Sequence, residues 1–349
     1  MFDCAADVKA FHDQDVTLPS AERDNMRQRR NANRTRLKAG LIRDGRPLPI
    51  EFVSQGSYRM RTMLQDVAND YDIDDGAYFR KEDLVGPRGG EMSALDARWM
   101  VRDAVDDGKF KRPPEVRPNC VRVFYDKGYH CDIPVYRRVV TTDAWGQESI
   151  HYELAASGGW KRSDARDVSA WYEDERSQSA DGTQLRRINR LLKAHARSRQ
   201  SWRKRILGGF GISVLVVEKF AAYTREDEAL YQAMVRIRDR LNYDKVVAHP
   251  VTPDDTITSG SEDPQAVMLR DKLSEAITAL QPLFSPSCTR AEALACWDKV
   301  FNTTFFSERH EEEARSSLAA PAIISSLGLL AQAGAAAAAV SDAGSGRHA

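Results

Sequence analysis

The stretch EFVSQGSYRMRTMLQDVANDYDIDDGAY, Glu51 to Tyr78, decides how the rest of the chain is read. An apolar lead-in ends at Gln55-Gly56-Ser57, a polar-studded segment follows, and Asp72-Ile73-Asp74-Asp75-Gly76 completes the pattern. Side chains alternate along a strand, so Asp72 and Asp74 share one face while Ile73 meets the core on the other. Two carboxylates side by side repel each other unless a cation lies between them, which makes the pair a poor structural choice and a good metal site. A Gly-Ser turn brings backbone N–H groups close and adds a hydroxyl, the donors that phosphate oxygens take. Asp75 falls with Ile73 by the same alternation, and beside Gly76 it reads as a turn or cap residue.

Composition sets wider bounds. At 349 residues the chain has room for two domains or one large one. Lys plus Arg and Asp plus Glu each number 51, so the formal net charge is zero and no overall field favours nucleic acid or a membrane surface. The 5 cysteines, Cys4, Cys120, Cys131, Cys288 and Cys296, contain no C-x-x-C pair, which suits free thiols and a cytoplasmic location. The opening residues lack the basic-then-apolar order of a signal peptide. Leu318 to Val340 carries no charge and has the length of a membrane span. Its Ala and Gly content, with Pro321, Ser325, Ser326 and Gln332 inside it and no aromatic or basic anchors beside it, reads instead as a low-complexity tail.

Taken in order, residues 1–19 read as a short arm, followed by a basic helix from an N-cap at Ser20 through Arg43, with Gly45 near its stop. Its arginines read as a solvated face. Ile50 to Val53 starts a strand, and Glu91 to Val105 has helical periodicity through Leu95, Trp99 and Val105. Strands over Cys120–Tyr125 and His130–Tyr136 are joined by the turn-forming Asp126-Lys127-Gly128. The pattern is helical from Trp160 onward: 164–175, a strongly basic 185–205, 212–223, 226–241, 264–280 and 290–301. The expected architecture is α+β: an N-terminal arm and long helix (1–49), a core of mixed sheet with helices (50–158), a helical lobe (159–314) and a flexible low-complexity tail (315–349).

Asp132, acidic among apolar and aromatic neighbours, is expensive to bury alone and is expected to meet a cation. Asp72 and Asp74 on one strand with Asp132 on a neighbour can carry two Mg²⁺ ions, since Mg²⁺ takes hard oxygen ligands and completes its shell with water and substrate phosphates. Mn²⁺ suits the same ligands. Two such ions stabilise the attacking and leaving oxygens of an in-line displacement, which points to phosphoryl or nucleotidyl transfer. Gly-Ser or D-x-D alone carries little weight; Gly-Ser, fourteen residues, D-x-D and a later strand Asp carries much more. His130 and Cys131 do not complete a zinc set, and Cys131 reads as a packed thiol. Trp99, Trp171 and Trp297 read as core anchors.

With those residues in place the chain resembles the DNA-polymerase-β-like nucleotidyltransferases. Gln55-Gly56-Ser57 and Asp72-Ile73-Asp74-Asp75-Gly76 are similar to the cGAS/DncV-like branch (CD-NTases), the cyclic oligonucleotide synthases of bacterial CBASS anti-phage defence. The resemblance implies a polymerase-β-like nucleotidyltransferase core packed against a C-terminal helical lobe, with ATP, GTP or both as substrates. It implies that Asp72, Asp74 and Asp132 are catalytic and bind Mg²⁺, with Asp132 also helping to activate the attacking hydroxyl. Gln55, Gly56, Ser57 and Tyr58 would line the donor site. Arg122 and Lys193 would hold phosphates and Ser163 would contact nucleotide. The serine that relatives pair with the lysine is replaced in register by Gly211, with Ser213 two residues on; Asp255, in Pro250-Val-Thr-Pro-Asp-Asp, would lie near the acceptor base. A CBASS effector and, for a tail ending Gly346-Arg-His-Ala, ubiquitin-like conjugation proteins are the partners implied. Two other readings keep the residues: a template-independent transferase acting on an RNA end or small molecule, against which zero net charge argues, and a non-catalytic nucleotide-binding regulator.

Overall fold

The structure is a computed structural model that describes residues 1–65, 71–252 and 254–319. Strand β1 (Glu51–Ser54) lies antiparallel to β2 (Asp72–Arg80), with Glu51 paired to Tyr78 and Ser54 to Asp75. The other edge of β2 pairs in parallel with β5 (His130–Ile133) and then β6 (Val135–Thr142). The register runs on across the break, Asp74 with Asp132 and then Ala77 with Val135. Pro134 has no N–H to give to the ladder, so it divides one extended run in two, while its carbonyl still accepts from the Ala77 N–H at 2.9 Å.

Outward from this centre, β4 (Val121–Phe124) pairs with β5 and β3 (Glu115–Val116) with β4; on the other flank β7 (Glu148–Ala156) pairs with β6 and β8 (Gly159–Arg162) with β7. Among the described residues this is one mixed sheet of 8 strands. Helices α2 (Ser20–Arg43) and α4 (Ala94–Val105) cover it, and Leu37, Leu41, Val101 and Val105 pack with Ile73, Phe79, Val121 and Val123 in one core.

The second core is helical. It is built by α5 (Ala165–Gln178), α6 (Gly182–Arg197), α7 (Gly209–Lys219), α8 (Glu226–Tyr243), α9 (Pro264–Ala279), α10 (Arg290–Phe301) and α11 (Phe305–Ala319). The short helix α3 (Gly56–Met60) ties the two together. Met60 and Leu64 plug into the helical core, while Met63 joins the core of the sheet.

Several expectations are corrected. Residues 1–19 are not an arm: helix α1 (Ala5–Phe11) and a π-turn at His12–Val16 bury Val8, Phe11 and Val16 against Leu191, Leu230, Trp297 and Phe306. The Asp7 carboxylate, buried there, is held by both Arg290 guanidinium ends at 3.0 Å. Pro19, not Ser20, holds the N-cap position of α2, and Ser20 is its first helical residue. Helix α4 begins only after Ser93, whose hydroxyl accepts from the Asp96 N–H at 3.0 Å. That start buries the small face Ala94, Ala97, Val101 and Ala104, which leaves Leu95 and Trp99 exposed; Trp297 is a core anchor and Trp171 packs partly buried against the same core. The sheet runs on through β8, past the start expected for the helical pattern at Trp160. The basic helix stops at Arg197, where the Ser198 hydroxyl donates back to the His195 carbonyl at 2.7 Å and ends the regular ladder. No described helix is long and apolar enough to cross a membrane. The segment 318–340, all but its first two residues, and the tail to 349 lie outside the described residues.

Helices α2 and α4 cross so closely that a β-carbon built on Gly40 falls 1.8 Å from the Ala104 carbonyl oxygen. Gly to Ala inside a helix ordinarily stabilises by about 1 kcal/mol. Here backbone must move to admit the methyl, and overpacking of this kind costs about 1–3 kcal/mol. Gly40→Ala is expected to lower the Tm in a thermal melt; an unchanged or raised Tm contradicts the close crossing.

Candidate active site

Strand alternation and register assemble the acidic cluster. Asp72 and Asp74 project from one face of β2, and Asp132 stands beside Asp74 on the parallel neighbour β5. One oxygen from each of the three carboxylates lies within 4.8 Å of the others. Ile73, between the first two, is buried in the opposite core, and Cys131 is a packed, buried thiol beside it. Asp75 also points away from the cluster, but it is neither turn nor cap. Arg34 grips it with Nε and Nη2, both at 2.6 Å, and the Ser54 hydroxyl donates at 3.0 Å, which pins the sheet to α2.

The two glycines of the motifs interlock the cluster with the segment before it. Gly56 has φ +59°, and a β-carbon built on it falls 2.2 Å from Asp74 Oδ2. Gly76 sits in mid-strand because a β-carbon there falls 2.3 Å from Gln55 Nε2. The Gln55 N–H closes the joint by donating to the Asp74 carbonyl at 2.9 Å. The expected Gly-Ser turn is thus the first turn of α3, and it is pressed against the carboxylates. Past it, Arg61 adopts a left-handed conformation (φ +57°) and the Thr62 N–H donates to the Ser57 carbonyl at 2.9 Å.

Burial, and then the Asp132 charge, push the Asp74 carboxyl up to about 6. Arg122 opposes this: Nε and Nη2 donate to the two Asp132 oxygens at 2.7 Å each, and Nη2 also reaches Asp72 at 3.3 Å. Among the described residues three carboxylates share the Arg122 guanidinium, and this cluster of hard oxygens fits a divalent cation of the Mg²⁺ type.

Asp72 and Asp74 open onto a cavity of about 420 Å³, with Gly56 and Ser57 on the same wall and Lys193, Arg197 and Phe210 opposite. Lys193 is buried, and its ammonium donates to the Thr62 hydroxyl at 2.9 Å. Burial, then Arg197 and Arg190, push it down to about 7. Gly209 permits the approach of α7, since a β-carbon there falls 3.3 Å from Lys193 Cε. An amine held in this state favours an arriving anion, which supplies the counter-charge it lacks.

The other expected site residues fall as follows. Gln55 lines the cavity, but its amide is held by two buried tyrosines, donating to Tyr78 OH at 2.9 Å and accepting from Tyr136 OH at 3.2 Å. Tyr58 is turned toward α2, where Arg23 and Arg30 lie 5.9 and 5.8 Å from its ring. Ser163 and Asp255 line a second cavity of about 770 Å³, which shares Val168 with the first; Asp255 pairs there with Lys161 at 3.1 Å. Ser213 is buried and donates to the Gly209 carbonyl at 2.8 Å, and Gly211 packs on Leu207, so neither lines the cavity beside Lys193. Of the basic helix, only Lys193 and Arg197 reach this cavity; Arg187 pairs with Glu226 and Arg186 with Glu173.

No sequence signal singles out Thr62, Phe210 or the Tyr78–Asp164 pair, in which Tyr78 OH donates to Asp164 at 3.0 Å, and Arg197 is one of several cations along its basic helix. Only the Gly208-Gly209 doublet before an apolar helix signals the close approach that Lys193 needs.

Residues 50–136 match the family model described as cyclic GMP-AMP synthase DncV-like, nucleotidyltransferase domain. CdnG, a CD-NTase of Bradyrhizobium diazoefficiens solved with GTP, has the same fold with TM-score 0.66 at 15% identity, over 89% of this chain and 98% of that one. CdnC of Escherichia coli MS115-1, solved with ATP, gives TM-score 0.65 at 17% identity, over 86% and 98%. Vibrio cholerae DncV, a cyclic AMP-GMP synthase solved with the linear intermediate 5′ pppA(3′,5′)pG, gives 0.61 at 16% identity, over 82% and 91%. Residues 50–136 therefore carry a DncV-like nucleotidyltransferase domain, and the chain around them has the fold of these CD-NTases.

Proposed function

We propose that this chain condenses nucleoside triphosphates into a cyclic di- or trinucleotide with release of pyrophosphate, and that the product serves as a second messenger in CBASS anti-phage signalling in the cytoplasm. The observation that carries the reading is the acidic triad set against a glycine-opened loop, with a buried lysine across the same cavity. The relatives solved with GTP, with ATP and with a linear intermediate support nucleotides as the substrates.

Asp72, Asp74 and Asp132 would hold Mg²⁺, which would supply charge neutralisation for the triphosphate and a lowered pKa for the attacking hydroxyl. The Ser57 hydroxyl and the first backbone N–H groups of α3 face the phosphates of the donor nucleotide, and Lys193 holds its β- and γ-phosphates from the other wall. A ribose hydroxyl of the second nucleotide attacks the donor α-phosphorus. The new P–O bond forms as the α–β bond breaks, the hydroxyl proton goes to Asp132, and pyrophosphate leaves with the bonding electrons. The second cavity, with Ser163 and Asp255, takes the acceptor nucleotide, and Val168 stands between the two. A second round closes a dinucleotide ring, and a third is needed for a trinucleotide.

Asp72→Asn with Asp74→Asn removes the dication ligands while keeping the shape of β2. Mass spectrometry of products after incubation with all four triphosphates and Mg²⁺ is expected to show cyclic nucleotide from the wild-type chain and none from the double variant. Undiminished synthesis by that variant sinks the reading.

A pH dependence follows from Asp74. Its folded-state value, about 6, lies above the unfolded 3.8, so without metal its stabilising contribution is present at low pH and is lost as pH rises through about 6. A dication needs the ionised form and reverses that loss. Millimolar Mg²⁺ is expected to raise the Tm more above pH 7 than at about pH 5. An equal rise at both values argues against metal at this carboxylate.

A further inference from the structure

On the far side of α3 from the nucleotide cavity lies another cavity of about 620 Å³, walled by β1, α3, α5 and the start of α6. Its floor is apolar, with Val53, Met60 and Ala170, and its rim is crowded with guanidinium groups. Arg166 is satisfied by Asp164 at 2.7 Å and Glu51 at 2.6 Å. The others are not balanced. Arg176 and Arg186 share the one Glu173 carboxylate, Arg186 from 3.2 Å. Arg186 Nε is buried with no hydrogen-bond partner among the described residues. Arg59 and Arg61 line the same cavity and make no ion pair among the described residues. Besides Glu173, Asp174 is the other carboxylate in the lining, so four guanidinium groups face two acids. Arg176 and Arg61 both act on Arg186 as like charges, a repulsion that an anion would relieve.

We propose that this cavity is a second anion site, taking a di- or triphosphate group on the outer side of α3. Guanidinium forks suit phosphate oxygens, and the volume suits a group of pyrophosphate size or a whole nucleotide. Two sources share that chemistry: pyrophosphate released next door, and the triphosphate of a further nucleotide. The two cavities are separated by one thin wall, because Met60 lines both. Arg59 and Arg61 flank Met60, and Thr62, the next residue, is the hydrogen-bond partner of Lys193. An anion that draws Arg59 and Arg61 outward acts on the segment that positions that lysine, so the two sites are linked and each ligand alters the affinity for the other.

The test is titration calorimetry of the full chain in EDTA, which prevents turnover, with inorganic pyrophosphate in one arm and a nonhydrolysable ATP analogue in the other. Two variants separate the cavities. Lys193→Met empties the nucleotide cavity of its buried cation, and Arg61→Ser with Arg186→Gln discharges the outer one. Binding of at least one probe is expected to persist in Lys193→Met and to weaken about tenfold or more in the arginine double variant. The probe that persists identifies the source. Binding that vanishes in Lys193→Met and is unchanged in the double variant overturns the proposal, as does the absence of binding by both probes to Lys193→Met. Should the double variant not fold, Arg61→Ser alone, at an exposed position, is expected to weaken the same binding, and no change overturns the proposal. The experiment reads binding without chemistry, so its failure leaves the proposed reaction untouched.

Discussion

Everything at the centre of this molecule depends on how closely the Gln55-Gly56-Ser57 segment can lie against β2. Two glycines permit the approach from opposite sides, Gly56 by leaving room for the Asp74 carboxylate and Gly76 by leaving room for the Gln55 amide. The Gln55 N–H to the Asp74 carbonyl, and the two tyrosine hydroxyls on the Gln55 side chain, lock the arrangement in place. The Ser57 end of α3 and the Asp72 and Asp74 carboxylates of β2 are thereby fixed to each other by packing rather than by a flexible loop.

The charges are divided between the two cores, and neither wall is neutralised by its own partners among the described residues. Acidic groups come from the sheet, where register sets Asp132 beside Asp74. Cations come from the helical lobe, where Lys193 and Arg197 project from α6. Arg122 offsets only part of the acidic side, and Lys193 is buried with a neutral hydroxyl as its partner. In the proposed reaction a triphosphate with its dications would satisfy both walls at once, the pattern of a site complementary to a highly charged reaction centre.

The centre of the fold was legible in the sequence because its signals are local. Alternation in Asp72-Ile73-Asp74, the acidic Asp132 among apolar residues, and the helical periodicity of the second half each follow from a period of two or 3.6 residues. What escaped was set by tertiary packing. Asp75 beside Gly76 reads in sequence as a turn or cap, because the real constraint on Gly76, the Gln55 amide, lies 21 residues away in sequence and no pattern reports it. Leu95 and Trp99 looked like a core face, yet the crossing of α2 at Gly40 requires alanines there instead. Residues 148–162 form two strands that the sequence reading left out, since their apolar side chains are only half-buried and the alternation is weak. The placement of Tyr58 and Ser163 away from the main cavity likewise depends on neighbours, Arg30 and Lys161 among them, that spacing along the chain does not reveal.

The interlock can be tested by one substitution. Gly56→Ala keeps every charged group but places a methyl where the Asp74 carboxylate lies, at a φ that L-residues rarely adopt. A displacement of about 1 Å in a positioning segment costs about a hundredfold in rate. The measurement is the rate of pyrophosphate release from nucleoside triphosphates by Gly56→Ala relative to wild type, made on protein whose circular dichroism matches. The Gly56–Asp74 interlock predicts a fall of about a hundredfold; a rate equal to wild type contradicts it.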